Sequence, residues 1–232
     1  MAIIAARAEA LLLDLRRIFG ARLRSLVAYG ETAESAPMTC LALVASLDIA
    51  DLDACARAVH GWNRQRLATP LVLPEQEFQR SLDAFPLEYS EMIRAHEHIY
   101  GQDPFEGVRI SPDDLRRACE TQVKSHLLHL REEYIEAGGA PHVIADLVQA
   151  SAPGFAALLR NVARLHGTVS KDRVEATREG ARLASLPGDA VAAVLALEQP
   201  AGIASTDPAR VFPQYLAAVE QLAAFVDTWR AS

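Results

Sequence analysis

"LRSLVAYGETAESAPMTCLALVASL", Leu23–Leu47, is the stretch on which the fold turns. Its first seven residues are apolar enough for a strand. Gly30 to Pro37 is a polar turn. "CLALVASL" is a continuous apolar run, the pattern of a strand buried on both faces. Upstream, residues 3–19 put Ile4, Ala8, Leu11, Leu12, Leu15 and Ile18 on one helical face, and Gly20 closes that helix. Downstream, Asp48 or Asp51 caps a helix through "ADLDACARAVHGWNRQR". "TPLVLP" reads as a short third strand between prolines. "EQEFQRSLDAF" reads as a short helix, "PLEYSEMIRAHEHIYG" as one helix ended by Gly101, and "FEGVRI" as a last strand.

The character changes at Ser111. Ser111 is a good N-cap, Pro112 suits the first turn, and Asp113 and Asp114 favour the positive end of a helix dipole. That helix is expected to stop at Gly138-Gly139. Further helices are expected over 141–166, with Pro153-Gly154 as a candidate break, and over 171–184, 188–198 and 207–230. The expected architecture is an α/β domain with a small mixed sheet over 1–110, followed by an all-α helical bundle over 111–232.

Composition narrows the class of function. The chain has 232 residues, of which 50% are hydrophobic and 23% charged, and a net charge of −7. An acidic balance without a basic stretch argues against nucleic acid as a partner. Cys40, Cys55 and Cys119 are far apart and lack C-x-x-C spacing, so they read as small, reduced core residues of a cytoplasmic protein. The N-terminus reads as an amphipathic helix rather than a signal peptide. No run reaches the roughly eighteen apolar residues of a membrane span, so no membrane partner is expected. P-loop, G-x-S-x-G and G-x-G-x-x-G motifs are missing.

The order helix, strand–Gly–turn–strand, helix, short strand resembles the nucleotidyltransferase superfamily, the polymerase-beta-like or kanamycin-nucleotidyltransferase-like fold. A second stretch is similar to a group of bacterial nucleotidyltransferase-like proteins without an assigned function. It carries a "D-x-FP-x-E" segment (Asp83, Phe85, Pro86, Glu88), a "YG-x-DP" turn (Tyr100, Gly101, Asp103, Pro104), and a helix with Arg116, Arg117, Leu130 and Arg131. The resemblance implies three chemical parts. A Gly-Ser turn cradles triphosphate oxygens. A D-x-D pair on the next strand presents two carboxylates on one face to Mg²⁺. A third carboxylate on a later strand assists.

Matched to these positions, the Gly is Gly30 and the Ser position is Glu31. A carboxylate there, about 4 Å from a phosphate, costs roughly 4 kcal/mol at an effective dielectric of 20. The D-x-D falls on Met38 and Cys40, or on Thr39 and Leu41, depending on register. "TPLVLP" holds no acid. All three parts fail, so the expectation is an inactive member, a pseudoenzyme with no catalytic residues, no metal and no cofactor. It would act as a binding or regulatory module for a small molecule or protein. The alternative is an active nucleotidyltransferase acting on a small-molecule or protein hydroxyl, using Mg²⁺ with relocated acids drawn from Glu31, Asp48, Asp51, Asp53, Glu75 and Glu77. A third reading is a helical-bundle scaffold.

Other constellations are less specific. Asp51-Leu52-Asp53 is a literal D-x-D, but at a helix start it reads as capping. His126, His129 and Glu133 share a helical face and read as hydrogen-bonded histidines before a metal edge. His96 and His98, if helical, point apart. Arg117, Lys124 and Arg131 form a basic stripe; with Gly30 and Glu88 they are candidates for a ligand or interdomain cleft, against a solvated, acid-balanced face. The Ala-rich helices at 141–166 and 207–230 suit either a tight bundle or a homodimer interface.

Overall fold

The computed structural model describes residues 2–30, 36–168, 172–196 and 208–229, in two compact units, Met1–Ser111 and Pro112–Ser232. In the first, α1 (Ala2–Phe19) leads through a 3-10 turn, Gly20–Arg22, into β1 (Leu23–Tyr29). β2 (Thr39–Val44) returns antiparallel to β1. α2 (Ile49–Arg64) then connects to β3 (Leu71–Pro74), which runs parallel to β2. α3 (Glu75–Ser81) and α4 (Pro86–Arg94) follow. β4 (His96–Gly101) closes a four-stranded mixed sheet of order β3-β2-β1-β4.

Side chains alternate along β2, and each face has its own core. Cys40, Ala42 and Val44 meet Leu11 and Leu15 of α1 and Trp62 of α2. Leu41 and Leu43 meet Phe78 of α3, Tyr89 and Met92 of α4, and Phe105. With both faces covered, the strand tolerates no polar alternation, which is why "CLALV" reads as an unbroken apolar run.

Two expectations are corrected here. The segment 86–101 is not one helix: α4 ends at Arg94, Ala95 leaves the helical region at φ −137°, ψ 75°, and His96–Gly101 is a strand. β4 pairs antiparallel with β1, placing Tyr29 opposite His96 and Ser25 opposite Gly101. The open edge of β1 offers backbone hydrogen bonds that only a strand can take up, and this tertiary gain overrides a local helical pattern. Gly101 is required by that pairing, because a Cβ built on it would lie 1.8 Å from the Arg24 carbonyl oxygen. "FEGVRI" is not a strand either. It turns, with Glu106 N–H donating to Asp103 O at 3.3 Å and Val108 N–H to Phe105 O at 3.1 Å, because Phe105 is drawn into the core at 5% exposure.

The second unit is helical: α5 (Pro112–Glu136), α6 (Pro141–Leu165), α7 (Arg173–Leu183), α8 (Gly188–Ala196) and α9 (Pro208–Thr228). Cys119, Val123 and Leu130 form the buried line of α5. α6 runs unbroken through Pro153, and the Ser151 hydroxyl donates to the Leu147 and Val148 carbonyls. By length and composition α6 is apolar enough to cross a membrane. Its Leu147, Val148, Phe155, Leu159 and Val162 are core residues of this unit. Ala152, Ala156 and Ala163 of α6 and Ala218 of α9 are buried within it. α7 lies unusually close to α6: a Cβ on Gly180 would sit 1.9 Å from the Leu159 carbonyl oxygen.

Candidate functional site

The expected phosphate turn begins where β1 ends. Gly30 has φ +82°, and its backbone N–H donates to the Ala95 carbonyl at 2.9 Å. That N–H is therefore committed to the chain rather than presented to a phosphate oxygen. Glu31 lies outside the described residues. On the far side of the turn, the Thr39 hydroxyl donates to the Tyr29 carbonyl at 2.5 Å.

Both registers for a carboxylate pair fall on buried or occupied side chains. Met38 and Cys40 are 4% and 1% exposed, and Leu41 is fully buried. Burial pushes the Cys40 thiol up to about 12, so it is held as a neutral core thiol. Mg²⁺ takes hard oxygen ligands, and these positions offer it no carboxylate. The residues present do not fit the ion. On the Leu41 side the space is filled by aromatic rings, with Phe78 and Tyr89 at 5.1 Å and Phe78 and Phe105 at 6.0 Å, edge to face.

Apart from Glu31, the candidate replacement acids have structural partners or point to solvent. Asp48 is the N-cap of α2: its carboxylate accepts from Asp51 N–H at 2.9 Å, and Asp51 accepts in return from Asp48 N–H at 3.2 Å. This reciprocal box satisfies two of the helix's unpaired donors. Asp51 is buried and takes both guanidinium nitrogens of Arg22 at 2.6 Å. The Arg22 hydrogen bond, foremost, holds its carboxyl below the usual carboxylate range. Asp53 is exposed on α2. Glu75 sits 3.7 Å from Arg24, and Glu77 is exposed.

The basic stripe on α5 is balanced residue by residue. Arg117 pairs with Asp114, Lys124 lies between Glu120 at 2.5 Å and Asp227 at 2.9 Å, and Arg131 pairs with Glu220 at 2.7 Å. Arg116 also pairs with Glu120, at 2.6 Å. Glu88 is exposed on the first turn of α4. Of the histidines, His126 turns into the bundle, its Nε2 at 2.7 Å from the Tyr215 hydroxyl. Burial first, then the nearby His129, lowers it to about 4, so the ring is neutral. His129 is exposed beside Glu132 at 3.4 Å, and Glu133 is exposed.

Sequence reasoning did not pair His96 with Asp103. His96 Nε2 lies 3.1 Å from Asp103, and its Nδ1 lies 3.0 Å from the Ile93 carbonyl. Asp103 also accepts from Phe105 N–H at 2.9 Å. The "YG-x-DP" pattern marked the aspartate; the misread helix hid its partner. Among the described residues, no group of three or more His, Cys, Asp or Glu side chains could hold a metal ion.

No family model matches the chain, and no curated protein matches it in sequence. Its structure is similar to the crystal structure of spectinomycin adenyltransferase AAD(9) from Enterococcus faecialis, determined with ATP and spectinomycin. The TM-score is 0.59 at 11% sequence identity, and the match covers 96% of this chain and 99% of that chain. The sheet topology, the strand–Gly–turn–strand frame and this likeness together give the chain a nucleotidyltransferase-like fold.

Proposed function

We propose that this nucleotidyltransferase-like protein does not carry out metal-dependent nucleotidyl transfer and acts as a binding or regulatory module in the cytoplasm, a pseudoenzyme on a transferase frame. One observation carries the reading. The positions that would hold the metal are Met38 and Cys40, or Thr39 and Leu41, and Leu41 is sealed beneath Phe78, Tyr89 and Phe105. Two carboxylates could not be accommodated there without burying charge in an apolar cluster. The committed N–H of Gly30 supports the same reading.

The test is thermal unfolding of the full chain with each of the four nucleoside triphosphates, with and without Mg²⁺. A ligand at 100 times its Kd stabilises by about 2.7 kcal/mol, which a melting curve resolves. The expected result is no stabilisation that depends on Mg²⁺. A Mg²⁺-dependent shift with any nucleotide would overturn the reading and restore a transferase with relocated acids. Metal-independent binding would leave it standing.

A further inference from the structure

We infer that the helical unit carries a binding site for an organic phosphate, a phosphate or polyphosphate group joined to an apolar body, in the arginine-lined pocket between α6, α7 and α8. The inference goes beyond the reading of the sheet and does not depend on it, since every described lining residue belongs to the second unit.

The pocket measures about 940 Å³. That is at the upper end of the range for small-molecule sites. Four arginines line it: Arg160 from α6, and Arg173, Arg178 and Arg182 from α7. Among the described residues no carboxylate lines it, in a chain whose net charge is −7. Two of the guanidiniums are braced. Arg160 donates to the hydroxyl of buried Thr177 at 3.4 Å, and Arg182 is held by Glu179 through two bonds at 2.7 and 2.8 Å. Arg173 and Arg178 are exposed and form no ion pair among the described residues. Acids do stand nearby. Asp172, Glu175 and Glu179 line a smaller hollow of about 360 Å³ that shares Arg178 and Arg182. Glu179 leaves the paired Arg182 with a reduced net field, so Arg173 and Arg178 supply most of the pull on an anion.

Guanidinium forks match phosphate oxygens two at a time, which favours phosphate over a single weak anion. Apart from Thr177, the other described residues of the wall are apolar, among them Val174, Ala181, Leu186, Val191 and Ala192. Bare inorganic phosphate would leave that wall wet, so the ligand carries an apolar portion against it. The close approach at Gly180 fixes α7 against α6 and so fixes the arginines relative to one another.

The experiment is isothermal titration of the full chain, without Mg²⁺, with three probes: ATP, dodecyl phosphate and inorganic tripolyphosphate. The variants are R173E/R178E, on exposed side chains whose change leaves the core intact, and R57E/R64E, the same charge change on α2. Saturable binding of ATP or dodecyl phosphate is expected, weakened at least about tenfold by R173E/R178E and little changed by R57E/R64E. Preference for ATP assigns an aromatic base to the apolar wall; preference for dodecyl phosphate assigns a hydrocarbon chain. The inference is overturned if neither organic phosphate binds, if tripolyphosphate binds as tightly as both, or if the two double variants weaken binding equally.

Discussion

His126 sets an acid limit on the helical unit. Its ring is neutral in the fold, lowered from 6.5 to about 4 by burial against Tyr215 and by His129. As pH falls through 6.5, the unfolded chain takes up a proton that the folded ring refuses until about pH 4. The stability it confers is therefore complete above pH 6.5 and is lost between there and pH 4. Urea midpoints measured across that window should fall, and His126→Gln should flatten that part of the profile. A profile unchanged by the substitution would count against the buried neutral ring. Asp51 acts in a different window: its lowered carboxyl contributes above its ordinary value of 3.8 and loses that contribution as pH drops below it. The capping role at the start of α2 was legible, because an aspartate before a helix, with a second three residues on, is a local signal. Arg22 was not, since it lies 29 positions from Asp51 and reaches it only through the fold.

Among elements, β4 is the instructive miss. "EMIRAHEHIY" carries no Pro or Gly to mark the change from helix to strand, and nothing local reports that β1 has an edge to fill. Long-range pairing made that choice, whereas β1, β2 and α1 were readable because their apolar patterns are strong and self-contained. Gly101 is the point at which β4 can be tested. Its φ is +81°, and any Cβ there would run into the Arg24 carbonyl, so Gly101→Ala forces the two strands apart. It should destabilise the first unit by about 3 kcal/mol or more, read as a lower urea midpoint. A near-neutral result would show that the β1–β4 register is looser than the geometry implies. The arginines of α7 were missed for the opposite reason: "RVEATREGAR" looks like an ordinary solvated helix until α6 and α8 wall in one side of it.

At the scale of the whole molecule, composition foretold an acidic chain without a basic surface run, and it concealed one local exception in the helical unit. The transferase-like frame was legible in order and spacing, yet the filling of the expected metal positions became visible only when α3, α4 and Phe105 were placed over the sheet. That filling can be challenged directly. A T39D/L41D variant, which places an acid pair in β2, should lose about 4 kcal/mol of stability from buried, unpaired charge. It should also gain no Mg²⁺-dependent protection in urea titrations. Retained stability together with metal protection would mean that the aromatic cluster can open.

The rings over Leu41 also work as a ratchet. A metal site needs its carboxylates and its ion together, and substitutions come one at a time. Here an acid introduced at position 41 would meet Phe78, Tyr89 and Phe105 before any cation could reach it. Each single step toward such a site through position 41 would be harmful until several had been taken. The interior of this sheet thus constrains which substitutions the chain can accept.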